Sequence, residues 1–150
     1  MFCFLLMLAT AVLSTSGASE DPLIVAFYEE GCPGCLQVEE LLTALTSELP
    51  ESAVSRYEIS EPDAFSLLAA LATAYEIESP TVPIVFVGDI AVIGAGRPQE
   101  FQLRNAIGDC IVHGCPSPFD RILTKRSVNR DLLRLGLFAV AFVLLWLWQI

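Results

Sequence analysis

Basic residues are scarce in this chain. Its 150 residues hold eight Lys and Arg and one histidine against eighteen acids, for a formal net charge of −10. Between residues 20 and 120 only Arg56, Arg97 and Arg104 stand against seventeen acids. So acidic a domain argues against nucleic-acid binding, which draws on Lys and Arg to neutralise phosphates. Internal repeats are also missing. No basic residue precedes the first apolar run, where a secretory signal usually carries its charge.

The ends hold the apolar excess. Phe2 to Leu13 is followed by Ser14-Thr15-Ser16-Gly17-Ala18-Ser19. This reads as a signal-peptide core with a small-residue cleavage region near Ala18, or, uncleaved, as an anchor. Leu132 to Ile150 is apolar apart from Arg134 and Gln149. Nineteen helical residues reach roughly 28 Å, about the thickness of a bilayer core. Trp146 and Trp148 suit the interfacial belt. Arg121, Lys125, Arg126, Arg130 and Arg134 precede or open this run, a basic flank suited to lipid headgroups. The positive-inside rule would place that flank in the cytoplasm. The N-terminal signal would export the domain instead, and it acts before the last span emerges. We expect four parts: a signal peptide over 1–19, a folded domain over 20–115, a basic linker over 116–131, and a single transmembrane helix over 132–150. The domain is expected on the extracytoplasmic side.

Five cysteines occur, and loss of the signal would remove Cys3, leaving Cys32, Cys35, Cys110 and Cys115. An even number suits an oxidising compartment. Cys32-Pro33-Gly34-Cys35 follows the apolar run Leu23 to Phe27 and opens a helical-period segment through Leu49. Unpaired amides and the helix dipole at that N-terminus favour a thiolate at Cys32, and the thiolate is the nucleophile. Cys35, one turn on, can resolve a mixed disulfide. Pro33 suits the first helical position, where no N–H is needed. Two rivals stand beside this. Cys32 and Cys35 with Cys110, His113 and Cys115 could hold zinc. The 32–35 pair could also be an inert disulfide, although so small a loop gains little.

The rest of the domain reads as follows. Val54 to Ile59 is a second strand. A helix starts with Ser60 as N-cap and Asp63 at its third position, runs on through Tyr75, and breaks at Ser79-Pro80. Ile84–Val87 and Ile90–Ile93 form a hairpin around Gly88-Asp89. Pro98 opens a last helix that Gly114 and Pro116 stop. The order strand, helix, strand, helix, strand, strand, helix implies an α/β fold. It would have a four-stranded mixed sheet, a right-handed parallel crossover and helices on both faces.

With Thr81-Val82-Pro83 directly before the third strand, the chain resembles the thioredoxin superfamily over roughly residues 22–115. The segment Cys110 to Pro118 is similar to small thioredoxin- and glutaredoxin-like domains attached to membrane redox proteins. The resemblance implies a thiol–disulfide oxidoreductase with no cofactor and no metal. Its partners would be protein thiol or disulfide substrates and a membrane redox partner. Cys32 would attack and Cys35 resolve. A cis Pro83, the Val82 backbone, Pro33 and Gly34 would contact the substrate chain. Cys110 and Cys115 are expected to form a structural disulfide in an exported protein, with a second redox relay to Cys32 or two free thiols as the alternatives. Thioredoxins carry a buried acid six residues before the first cysteine, and here that position is Ala26. Proton traffic at Cys35 would then fall to water, Glu29 or Glu30. The Pro-Gly dipeptide is nearer to glutaredoxins, and the potential lies open over about −270 to −120 mV. A non-catalytic peptide-binding module is the reading from another class.

Overall fold

In a computed structural model, the described residues are 21–125. Strands β1 (Ile24–Tyr28), β2 (Val54–Glu58), β3 (Ile84–Val87) and β4 (Ile90–Ile93) form one sheet in the order β2-β1-β3-β4. β1 runs parallel to β2 and antiparallel to β3, and β3 pairs antiparallel with β4. Helices α1 (Pro33–Leu45), α2 (Pro62–Ala74) and α3 (Arg97–His113) flank it. This is a thioredoxin-like α/β fold with a four-stranded mixed sheet. The expected signal over 1–19 and membrane helix over 132–150 lie outside the described residues. Among the described residues no helix is long and apolar enough to cross a membrane.

The central strands are buried on both faces, which is why β1 and β3 read as unbroken apolar runs rather than alternating ones. Ile24, Ala26, Val85 and Val87 pack under Val38 and Leu42 of α1 and Leu103, Ala106 and Ile107 of α3. Val25, Phe27, Ile84 and Phe86 face the other way, against Leu68 and Leu71 of α2. Alternation along each strand thus builds two cores, one per face.

Three element ends differ from the sequence reading. α1 stops at Leu45 rather than Leu49: Thr46 is its C-cap, with both its N–H (2.9 Å) and its hydroxyl (2.8 Å) on the Leu42 carbonyl, and the chain then turns, the Leu49 N–H closing on the Thr46 carbonyl at 3.0 Å. α2 is capped by Glu61, with Pro62 in its first turn, and not by Ser60. The Ser60 hydroxyl is taken by the Glu58 carboxylate. α2 also ends before Tyr75. Glu76 adopts φ 62°, and the N–H of Ile77 donates to the Ala72 carbonyl at 2.8 Å, which closes a Schellman cap.

The segment expected to be a linker is folded where it is described. Residues 118–125 are helical. Ser117 and Asp120 form a capping box: the Ser117 N–H donates to Asp120 Oδ2 at 3.2 Å, and Ser117 Oγ accepts from the Phe119 N–H at 3.3 Å. The same buried hydroxyl donates to the Pro22 carbonyl at 2.9 Å, and Phe119 and Ile122 pack on the α2-side core. Two bases from the expected lipid flank are engaged with the domain. Arg121 lies 4.5 Å from the Tyr75 ring centroid and donates to the Asp89 carbonyl at 2.8 Å. Lys125 donates to the Thr73 carbonyl at 2.9 Å.

Tyr75 is half-buried here and donates its hydroxyl to the Gly88 carbonyl. Burial pushes the phenol up to about 12, against the opposing pull of Arg121. The folded state therefore prefers the neutral form. That preference contributes fully below the ordinary tyrosine value of about 10. It is lost as pH climbs from there through about 12. The urea midpoint should fall between pH 9 and pH 12, and fall less steeply in Tyr75→Phe.

Candidate active site

The site is built at the carboxyl end of β1. The chain turns through Glu29, Glu30 and Gly31 into α1, and Cys32 becomes the N-cap of that helix. Its φ and ψ of −80° and 116° are extended, and its Sγ accepts from the Cys35 N–H at 3.2 Å. A sulfur held at the amide end of a helix sits where negative charge is favoured. Pro33 occupies the first turn, as its missing N–H predicts. Cys32 is half-buried and Cys35 is buried at 6% exposure. The two are joined in a disulfide with Cα atoms 5.3 Å apart, so the structure shows the oxidised pair.

The Val82–Pro83 peptide is cis, and Pro83 abuts the cysteine loop. A Cβ on Gly34 would stand 3.6 Å from Pro83 Cδ and 3.2 Å from Ala95 Cβ. Glycine at 34 is what lets the two loops meet. Pro83 is itself fixed, since its carbonyl accepts from the Gly94 N–H at 2.7 Å. The structure thus brings Cys32, Cys35, Pro33, Gly34 and Pro83 together, with Val82 next to them in the chain and half-buried.

Cys110 and Cys115 lie elsewhere. They are paired, with Cα atoms 4.8 Å apart, at the end of α3. Cys115 covers Gly88 so closely that a Cβ there would stand 3.0 Å from its own Cβ. Pro83 and Gly88 bracket β3, so the two cysteine pairs sit at opposite ends of the sheet. Four strand residues separate them, about 13 Å. This corrects two sequence-based alternatives. A relay from Cys115 to Cys32 within one chain has no reach, and the five-residue zinc set of Cys32, Cys35, Cys110, His113 and Cys115 is not assembled. Among the described residues no group of three or more His, Cys, Asp or Glu is placed to hold a metal. Removing the second bridge has a bounded effect. A loop this short gives about 2 kcal/mol in the chain-entropy treatment. Cys110→Ala/Cys115→Ala should lower stability in urea by that amount and leave exchange at Cys32 unchanged.

A cleft of about 360 Å³ opens on both redox cysteines. Tyr28, Glu29, Glu30, Leu36, Glu39 and Arg56 line it. Glu29 and Glu30, the acids singled out from the sequence, are exposed on the loop. Behind them the Ser60 hydroxyl holds the Glu58 carboxyl below its usual range against the opposing effect of desolvation, helped by the backbone N–H groups of Ser60 and Glu30. The sequence reading missed Glu39 and Arg56, which form an ion pair at 2.8 Å. A signal existed for each. Glu39 lies four residues after Cys35 and so on the same helix face. Arg56 is one of three bases in the acidic stretch and sits in register with Ala26. A depression of about 450 Å³ between α1 and α3 is larger, but it is lined by Gln37, Glu40, Arg97 and Arg104 and carries no cysteine.

Among solved structures, the chain is similar to the holo form of glutaredoxin C1 from Populus tremula x tremuloides. The two are 24% identical, the match covers 65% of this chain and 86% of that one, and the TM-score is 0.45. No protein-family model and no curated protein matches the chain.

Proposed function

We propose that this chain is a thiol–disulfide oxidoreductase, tethered to a membrane by its C-terminal apolar run and facing the extracytoplasmic side. The observation that carries the reading is the pairing of a half-exposed Cys32 at a helix N-terminus with a buried Cys35, beside Pro83. In the reducing direction the Cys32 thiolate attacks a substrate disulfide and one substrate sulfur leaves as a thiol. Cys35 then attacks Cys32 and releases the second. Two electrons pass from the cysteine pair to the substrate, and the reverse sequence oxidises a substrate dithiol. Val82 and Pro83 supply an extended backbone edge against which a substrate segment lies. The structural bridge between Cys110 and Cys115 supports an oxidising compartment. Residues 132–150 and 1–19 support the tether and the export on hydropathy alone.

The test is insulin-disulfide reduction by the reduced protein, with titration of the 32–35 pair against glutathione. A reversible two-electron couple, lost with Cys32→Ser, is the expected result. Exchange that survives Cys32→Ser would overturn the reading.

A further inference from the structure

Resting on that exchange reading, we propose that Arg56 is a positioning residue for the resolving step. Its guanidinium, aimed by Glu39, supplies the positive charge toward which the Cys35 thiolate forms.

The need arises from burial. Cys35 is 6% exposed and must lose its proton before it can attack, and burial disfavours a charged sulfur. The helix amides serve Cys32 first: they stand at the N-cap, and Cys35 is already inside the first turn. β1 offers no charge in its buried stretch on the α1 side, where Ile24 and Ala26 lie at 0% and 5% exposure. The groups that surround the cleft are mostly of the wrong sign. Tyr28, Glu29 and Glu30 come from β1 and its loop, Glu39 from α1, and Glu58 from β2 behind the loop. Each carboxylate opposes a second negative charge at the sulfur. Among the described residues, Arg56 is the one cation in the cleft lining.

The fold holds Arg56 there from two sides. Its Cα is in parallel register with Ala26, whose side chain lies on the α1 face of the sheet. A partner in parallel register points to that same face, and the Arg56 side chain indeed reaches Glu39 on α1. Glu39 Oε1 accepts from Arg56 Nε at 2.8 Å and from the Thr43 hydroxyl at 3.5 Å. Glu39 follows Cys35 by one helical turn, which brings their Cβ atoms to about 5–6 Å. The ion pair therefore lies over the Cys35 turn rather than at a remote point on the surface. An exposed pair of this kind adds little stability, so its value here is in the charge it presents.

The step balances as follows. Cys35 gives its proton to solvent in the cleft, and the thiolate attacks Cys32 Sγ of the mixed disulfide. The Cys32–substrate S–S bond breaks as the Cys32–Cys35 bond forms. The substrate sulfur leaves as a thiolate and takes up a proton. Arg56 neither gives nor takes one.

The experiment uses the full-length chain with Cys32→Ser, reduced. Iodoacetamide labelling of Cys35 is followed against pH by mass spectrometry of the Cys35 peptide, so no turnover is required. Arg56→Gln should move the rise in Cys35 labelling up by about one pH unit, a tenfold change in thiolate at fixed pH. With Cys32 restored, it should prolong the mixed disulfide about tenfold at pH 7 by that same relation. Arg56→Lys should restore both within about twofold, since it keeps the charge. Arg56→Met, which keeps the stem, serves the same comparison if the glutamine variant does not fold. An unshifted Cys35 profile in Arg56→Gln or Arg56→Met overturns the proposal, as does a lysine variant no better than glutamine. If the native protein shows no exchange while its Cys35 profile still responds to Arg56, the exchange reading fails and the electrostatic link stands.

Discussion

Replacing Cys32 with serine is expected to reduce disulfide exchange by on the order of 10³-fold or more, because it deletes the covalent step rather than slowing it. A serine hydroxyl at the same N-cap would still accept the Cys35 N–H, so the helix keeps its cap and the fold should survive. Cys35→Ser separates the two halves of the reaction. Cys32 can still attack, but nothing displaces the product, so the protein should accumulate as a mixed disulfide with its substrate. Mass spectrometry after a single addition of insulin reads both variants: no adduct for Cys32→Ser, a stoichiometric adduct for Cys35→Ser. The asymmetry follows from placement. Cys32 is half-buried at the helix end, while Cys35 is closed in at 6% exposure. An adduct on Cys35 in the Cys32→Ser protein would reverse the assigned roles.

The elements that place this pair were legible because each carries a local reason. Unbroken apolar runs gave β1 and β3, and Gly88-Asp89 gave the hairpin between β3 and β4. Proline in the first turn opened α1, α2 and α3. What escaped was set by side-chain competition or by tertiary docking. The Ser60 hydroxyl had two uses, capping α2 or binding Glu58, and the sequence does not rank them. Glu76 holds a left-handed cap position that usually marks glycine, so the end of α2 carried no warning. The docked helix over 118–125 was hidden by its charge. Arg121 and Lys125 suggested solvent or lipid, whereas the pattern Ser117-Pro118-Phe119-Asp120 was a helix start with an apolar residue to bury. At the site, the cysteines and Pro83 were legible from motif and order. Arg56 was not, because its meaning depends on the β1–β2 register, which brings it beside Ala26 and opposite Glu39.

Phe86→Ala should produce the largest loss of stability of any single apolar truncation in the sheet, about 3–5 kcal/mol. Typical domains have about 5–15 kcal/mol in all, so the variant would be marginal at 37 °C. Phe86 is fully buried in the middle of β3. Its ring meets Phe27 edge-on at 6.0 Å and Tyr75 at 4.8 Å, and Phe27 in turn stacks on Tyr57 at 5.4 Å. Alanine would remove the common member of both edge contacts as well as leaving a cavity. The consequences should reach both ends of the sheet. Phe27 leads into the loop that carries Cys32. Tyr75 holds the Gly88 turn beneath Cys115 and lies under Arg121 of the docked segment. Phe65 on α2 is the matched control, since it is 62% exposed and its truncation should stay within about 0.5 kcal/mol. Guanidinium unfolding of the two variants beside the native chain checks the contrast. Equal midpoints would mean that the α2-side core is not organised around Phe86, and the coupling between the redox loop and the C-terminal docking segment would lose its physical basis.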